Sequence, residues 1–244
     1  MAKFIGLQAG HENAKNNCVP ALRPETGAPG EVEFTVRIRN RLSQILLSKK
    51  NADGSKAFAV QLDDATANCQ SNTTGKNFDL YLVLHYESDT HGKDGGMITA
   101  PDPSVDVVNA ESRRISKAIE SEYFKNTGII NRPEWITNNM TFYYMWASLT
   151  ASTPCVLLEC GVGLNAHDKV ILADTDRVAN AIARGICKAF NVPFDAPTPP
   201  VPTPPAVDFQ KKYNDEVKAH SVTKEDLKKT NDRIKSIKDF TAST

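Results

Sequence analysis

The run Leu80-Tyr81-Leu82-Val83-Leu84-His85 sets five apolar or aromatic residues in a row before an imidazole. A short apolar run bounded by polar residues reads as a buried strand of an α/β sheet. Two other segments close in a similar way. Residues 4–7, Phe-Ile-Gly-Leu, lead into Ala9-Gly10-His11, and residues 156–158, Val-Leu-Leu, lead into Glu159-Cys160-Gly161. In open α/β sheets ligands collect just beyond the carboxyl ends of the strands. Three strands therefore deliver two imidazoles and a carboxylate to the edge where such a fold does its chemistry.

Strands and helices alternate along residues 1–195. A polar loop over 13–30, rich in Pro and Gly, follows the first strand. A helix over 31–48 carries Phe34, Ile38, Leu42 and Ile45 on one face. The turn 51–54 precedes a strand over 57–62, a helix is expected over 64–72, and 78–85 is the central strand. A further strand over 95–99, a helix over 107–123, an aromatic stretch over 142–146 and a strand over 156–159 come next. One closing helix is expected over 168–190, apolar at Val170, Ile171, Val178, Ile182 and Ile186. This alternation predicts an α/β three-layer sandwich, a mostly parallel or mixed twisted sheet flanked by helices. Residues 196–205 are a proline-dense linker that favours an extended, semi-rigid spacer. Residues 206–244 form a short tail with two helical patterns and too few apolar residues to fold alone. That tail could pack on the first region, self-associate or serve in targeting.

Lys plus Arg and Asp plus Glu both number 29, so no net charge argues for nucleic acid or an anionic membrane. No apolar run approaches the roughly twenty residues of a membrane-spanning helix, and the first residues carry no cleavable apolar segment. The five cysteines, an odd number without a CxxC pair, do not suggest a disulfide framework or a structural zinc knuckle. Cys160 follows Glu159 directly. Strand neighbours point to opposite faces, so Cys160 reads as a small core residue rather than a thiol nucleophile.

Among the five histidines, only His11 and His85 stand at strand ends after apolar runs. His91 lies in a loop, His167 precedes the last helix beside a capping Asp168, and His220 is in the tail. A lone strand-end histidine is commonly a satisfied structural residue, but two on neighbouring strands suggest a metal site, with the zinc of a hydrolase as the natural occupant. Such a site needs a third ligand, and the helix that begins near Gly30 offers Glu31 and Glu33. Glu31 precedes Phe34 and Ile38 by three and seven residues and shares the sheet-facing side, whereas Glu33 lies beside Arg37 on a solvated face. Helical phase favours Glu31; a carboxylate suited to the positive end of a helix is the ordinary alternative for either. Glu159 ends an apolar strand, where a carboxylate is costly unless it is paired, near a metal or needed for chemistry.

Taken together, AGHE (9–12), GAPGEVEF (27–34), DLYLVLHYES (79–88) and LLECGVGLNAHD (157–168) resemble the zinc-dependent N-acetylmuramoyl-L-alanine amidases of the amidase-3 type, common in phage endolysins and bacterial autolysins. The resemblance runs in order over roughly residues 2–192. It implies Zn2+ bound by His11, Glu31 and His85, with Glu159 as catalytic acid/base, and peptidoglycan as substrate. It further implies an endolysin kept in the host cytoplasm until lysis. A zinc peptidase acting on stem peptides and a non-catalytic wall-binding protein are the rival readings. Two positions depart from the pattern: Glu87 stands where the family usually has Asn, and Glu12 follows the first histidine where Gly is common.

Overall fold

A computed structural model describes residues 1–11, 27–63, 75–88, 92–102, 104 and 110–194. The expected helix over 64–72, most of the loop 13–30, Glu12, His91, the linker and the tail with its possible self-association lie outside these residues. Five strands form one sheet in the order β2-β1-β3-β5-β4. They are β1 (Lys3–Ala9), β2 (Phe58–Leu62), β3 (Leu80–Glu87), β4 (Met97–Thr99) and β5 (Cys155–Val162). β2, β1, β3 and β5 run parallel, and β4 closes one edge antiparallel to β5. The chain is thus a mixed α/β fold, as its alternation of elements implies.

Side-chain alternation divides the sheet into two faces with different partners. Ile5 and Leu7 of β1, Leu80, Leu82 and Leu84 of β3, and Val156, Leu158 and Cys160 of β5 point to one side. There they meet α1 (Glu31–Ser48), α2 (Ala110–Thr127) and α5 (Thr175–Ala189), through Phe34, Ile38 and Leu42, Ile115 and Ile119, and Val178, Ile182 and Ile186. The opposite face carries Phe78, Tyr81, Val83, Cys155 and Leu157, covered by Trp146 and Leu149. Trp146 belongs to a 3-10 turn over Tyr144–Ser148 and is fully buried. Within the aromatic stretch over 142–146, this tryptophan therefore belongs to the core. The short helix α3 (Asn138–Thr141) precedes it.

The single closing helix expected over 168–190 is two helices, α4 (Ala166–Ala173) and α5. Asp174 breaks them, with φ −80° and ψ 87°, and its carboxylate accepts from the Arg177 amide to start α5. Periodicity could not reveal this because apolar spacing continues across the break. Asp168 is not the cap either. Asn165 caps α4 by accepting from the amides of His167 and Asp168. Asp168 is fully buried and accepts from Gly95 N (2.7 Å) and Val162 N (3.0 Å), tying the approach to β4 to the end of β5.

Cys155, Cys160 and Cys187 are buried. Burial pushes all three thiols up, Cys187 to about 11 and the other two beyond it. Cys160 faces the helices while Glu159 faces the other way, so the Cys160 thiol does not join the carboxylate. A thiol reagent at pH 8 is therefore expected to consume at most two equivalents in native protein and five after denaturation. A second expectation concerns the contact of α2 with α5. A Cβ on Gly185 would collide with the Ile119 backbone. Helix propensity alone would favour Gly185→Ala by about 1 kcal/mol. Overpacking costs roughly 1–3 kcal/mol, so urea denaturation should show a net loss of stability.

Candidate metal centre

His85 and Glu159 are cross-strand neighbours in the parallel pairing of β3 with β5, and their side chains share the sheet face opposite the long helices. Met97 pairs with Glu159 from the other side. Glu159 thus lies between an imidazole and a thioether, next to the apolar group formed by Met97, Trp135 and Val162. Only 8% of the residue is exposed, and its Oε2 has no hydrogen-bond partner among the described residues. Burial raises its pKa to about 8; His85 pulls it down, and the charges of Glu31 and Glu87 push it up. The alternative of a buried ion pair with an arginine does not occur among the described residues.

His11 follows the end of β1 in a left-handed backbone conformation, φ 59°, rare for a residue with a side chain. Its ring lies 4.9 Å from that of His85, edge to face. Glu31, the first residue of α1, completes the group. Its Oε1 lies 2.9 Å from His85 Nδ1 and 3.5 Å from His11 Nε2, and its Oε2 accepts from Ala28 N at 2.7 Å. One nitrogen or oxygen from each of His11, Glu31 and His85 lies within 4.8 Å of the other two. Glu31 is buried and Glu33 is exposed, as helical phase predicts.

Several local devices deliver these atoms. Thr35 Oγ1 donates to Gly10 O (3.0 Å), pinning α1 to the end of β1. The Tyr86 hydroxyl donates to Pro29 O, and its amide reaches Glu31 Oε1 at 3.3 Å, so the residue after His85 clamps the entrance to α1. Gly10 and Gly27 leave the space. A Cβ at Gly10 would lie 2.5 Å from the His85 ring, and one at Gly27, where φ is 94°, would lie 2.7 Å from the His11 ring. Beneath the site, Tyr143 sets its ring edge-on to His85 at 5.9 Å and donates its hydroxyl to Gln8 Oε1 (3.3 Å). Gln8 in turn donates to Asp63, as does Tyr81. Sequence reasoning missed these supporting residues. Only the two glycines left a sequence signal, each flanking a motif, and no periodicity marks the others.

Electrostatics prepares the donors unequally. Burial holds the His11 pKa below its usual value against the attraction of Glu31, and His85 adds to the lowering, which favours a neutral ring with a lone pair. Burial opposes charge on His85, but the hydrogen bond to Glu31 and the charges of Glu159, Glu31 and Glu87 raise it overall. Burial would raise Glu31, yet the hydrogen bond from His85 and the two imidazoles hold it below the usual carboxylate range. Two ring nitrogens and one carboxylate oxygen, with an orphaned buried carboxylate alongside, are the donor chemistry of a catalytic divalent site, zinc above all. His85 Nε2, also buried and without a hydrogen-bond partner among the described residues, belongs to the same polar cluster.

Asp94, His167 and Asp168 form a second cluster of donor atoms. It reads as an ionic clasp. Arg132 pairs with Asp94 at 3.3 Å, His167 Nδ1 lies 3.0 Å from Asp168 Oδ1, and backbone amides occupy the other Asp168 oxygen.

If the tripod holds an ion, Gly10→Ala is expected to weaken zinc affinity at least about tenfold, because its new Cβ would collide with both the His85 ring and the Leu84 carbonyl. Competition with a chromophoric chelator measures this.

Residues 5–189 match a family described as N-acetylmuramoyl-L-alanine amidase, Amidase_3. No curated protein matches the chain. Solved structures share the fold. The N-acetylmuramoyl-L-alanine amidase from Clostridium difficile 630 has a TM-score of 0.56 at 15% identity, covering 78% of this chain and 97% of that one. The CwlD amidase from Clostridioides difficile, solved in complex with the GerS lipoprotein, gives 0.53 at 18%, covering 78% and 98%. Ami1 from Mycobacterium smegmatis gives 0.51 at 15%, covering 78% and 97%. At these identities the structures speak for the fold alone, whereas the family match spans most of the chain. The chain belongs to the N-acetylmuramoyl-L-alanine amidase family.

Proposed function

We propose that this chain hydrolyses the amide between the lactyl group of N-acetylmuramic acid and L-alanine in peptidoglycan. In this reading His11, Glu31 and His85 hold a zinc ion and Glu159 serves as the acid/base. The observation that carries it is the register of His85 with Glu159: the unpaired carboxylate stands beside a tripod of two imidazoles and one carboxylate. When bound, zinc supplies Lewis acidity, lowering the pKa of water toward about 7 and polarising a carbonyl. The chain's own residues do the rest. Glu159 accepts a proton from the attacking water as the new C–O bond forms. It returns that proton to the L-alanine nitrogen as the C–N bond breaks. Burial, which raises this carboxyl to about 8, suits Glu159 to the second half, in which it hands a proton on; the first half needs the carboxylate, a form that a neighbouring cation favours.

Met97, the cross-strand neighbour of Glu159, packs with Trp135 and Val162 and makes that flank of the carboxylate apolar. No helix among the described residues is long and apolar enough to cross a membrane. The proposal includes an endolysin role, with release onto the wall at host lysis. It is supported by the resemblance and by the proline-dense spacer 197–205, which would separate a catalytic region from a small second module.

Mass spectrometry of fragments from purified cell walls tests the reaction. Intact stem peptides beginning with L-alanine, released only without chelator, are expected. Glu159→Gln should keep one zinc per chain and lose activity by at least about a thousandfold, as loss of both proton transfer and positioning implies. His11→Ala and His85→Ala should lose zinc and activity together. Cleavage within the stem peptide instead would identify a peptidase, and full wall lysis by Glu159→Gln would remove Glu159 from the reaction.

A further inference from the structure

Glu87 has no part in the reaction just described, yet the fold brings its carboxylate to the same face of the sheet. His85 pairs with Glu159, and Glu87 pairs with Val162. The extra residue of this irregularity therefore lies on β5, and β3 keeps its alternation, so Glu87 stays on the side of His85. Val162, its neighbour, packs with Met97 and Trp135 on that side. Two residues along a strand span about 6.6 Å, which sets Glu87 one sheet step beyond the metal-facing imidazole. The residue is half-buried. Its carbonyl accepts from Gly163 N at 3.2 Å, fixing the backbone at the sheet's carboxyl edge. After burial and the nearer charges, Glu87 is the next group whose charge reaches both His85 and Glu159.

The substrate limits what this charge can act on. The lactyl carboxyl is consumed in the scissile amide, the glycan is neutral, and L-alanine carries a methyl group. The first ionisable group along the stem is the α-carboxyl of the second residue, one peptide unit beyond the leaving nitrogen. It is an anion in D-glutamate and neutral when amidated to D-isoglutamine. That group lies about as far from the scissile bond as Glu87 lies from His85. A stem that runs along β3 toward its carboxyl end brings the two carboxylates within about 7 Å, and like charges at that separation near a partly buried edge repel by enough to change a rate about tenfold.

We propose that Glu87 is a specificity residue that favours stem peptides with an amidated second residue over those with a free α-carboxylate. The proposal rests on the amidase reading above and goes beyond it by naming the wall chemistry the site prefers.

The test compares two synthetic disaccharide–tripeptide fragments that differ only in D-glutamate or D-isoglutamine at the second position. Wild-type protein is expected to show kcat/KM about tenfold higher for the amidated fragment. Glu87→Gln should narrow the gap to within about twofold, chiefly by speeding the carboxylate fragment. A measurement that needs no variant runs alongside. Raising sodium chloride from roughly 50 to 500 mM should shrink the wild-type preference, because salt screens charges at this range. Equal kcat/KM for the two fragments in wild-type protein, or a preference that survives both Glu87→Gln and salt, overturns the proposal. If wild-type protein leaves the muramoyl amide of both fragments intact while cutting elsewhere, the amidase reading falls first and this one with it.

Discussion

A buried carboxylate facing two imidazoles is the interaction on which the rest of the site depends. Glu31 is almost fully enclosed, and an isolated anion there would cost several kcal/mol. Its Oε1 lies within reach of both His85 and His11, and its Oε2 takes the Ala28 amide. Every nearby feature serves that meeting. Thr35 fixes α1 against β1, Tyr86 clamps the start of α1, and Gly10 and Gly27 keep side chains out of the space the rings occupy. Glu31 and His85 favour one another's charged forms, and in the reading proposed above the same donor atoms would hold a divalent ion.

The division of the sheet into two faces explains how one molecule supports both a dry core and a polar site. β3 presents leucines at 80, 82 and 84 to the long helices, while Tyr81, Val83 and His85 alternate to the other side. The same alternation in β5 sends Cys160 into the core and Glu159 toward the side of His85. A register slip of one residue would exchange these roles, leaving the thiol in the site and the carboxylate in the core. Tight packing of the leucines against α1, α2 and α5 therefore protects the site's composition as well as the stability of the fold.

Much of this was legible in the sequence because burial writes itself into spacing. His85 and Glu159 stood out as polar residues closing apolar runs, and Glu31 was separable from Glu33 because helix phase decides which of them faces the sheet. What was not legible shares a physical cause: it depends on pairing between distant segments, which local spacing does not encode. The antiparallel direction of β4, the match of Met97 with Glu159, and the hydroxyl chain from Tyr143 through Gln8 to Asp63 all arise only when strands are laid side by side. The break at Asp174 escaped notice because a capping carboxylate interrupts the backbone without interrupting the apolar pattern. Asp168 looked like a cap because it stands near a helix start. Its actual partners, Gly95 and Val162, come from the approach to β4 and the end of β5.

The central claim is that three side chains, one from just beyond β1, one from α1 and one from β3, share one ion beside Glu159. X-ray absorption at the zinc edge of the loaded protein tests it most directly. The account predicts two imidazole nitrogens at about 2.0–2.1 Å, with one carboxylate oxygen and one exchangeable light ligand at about 2.0–2.2 Å. Loss of one imidazole shell in each of His11→Ala and His85→Ala should accompany it. A first shell containing sulfur, or one unchanged by either substitution, would contradict the account.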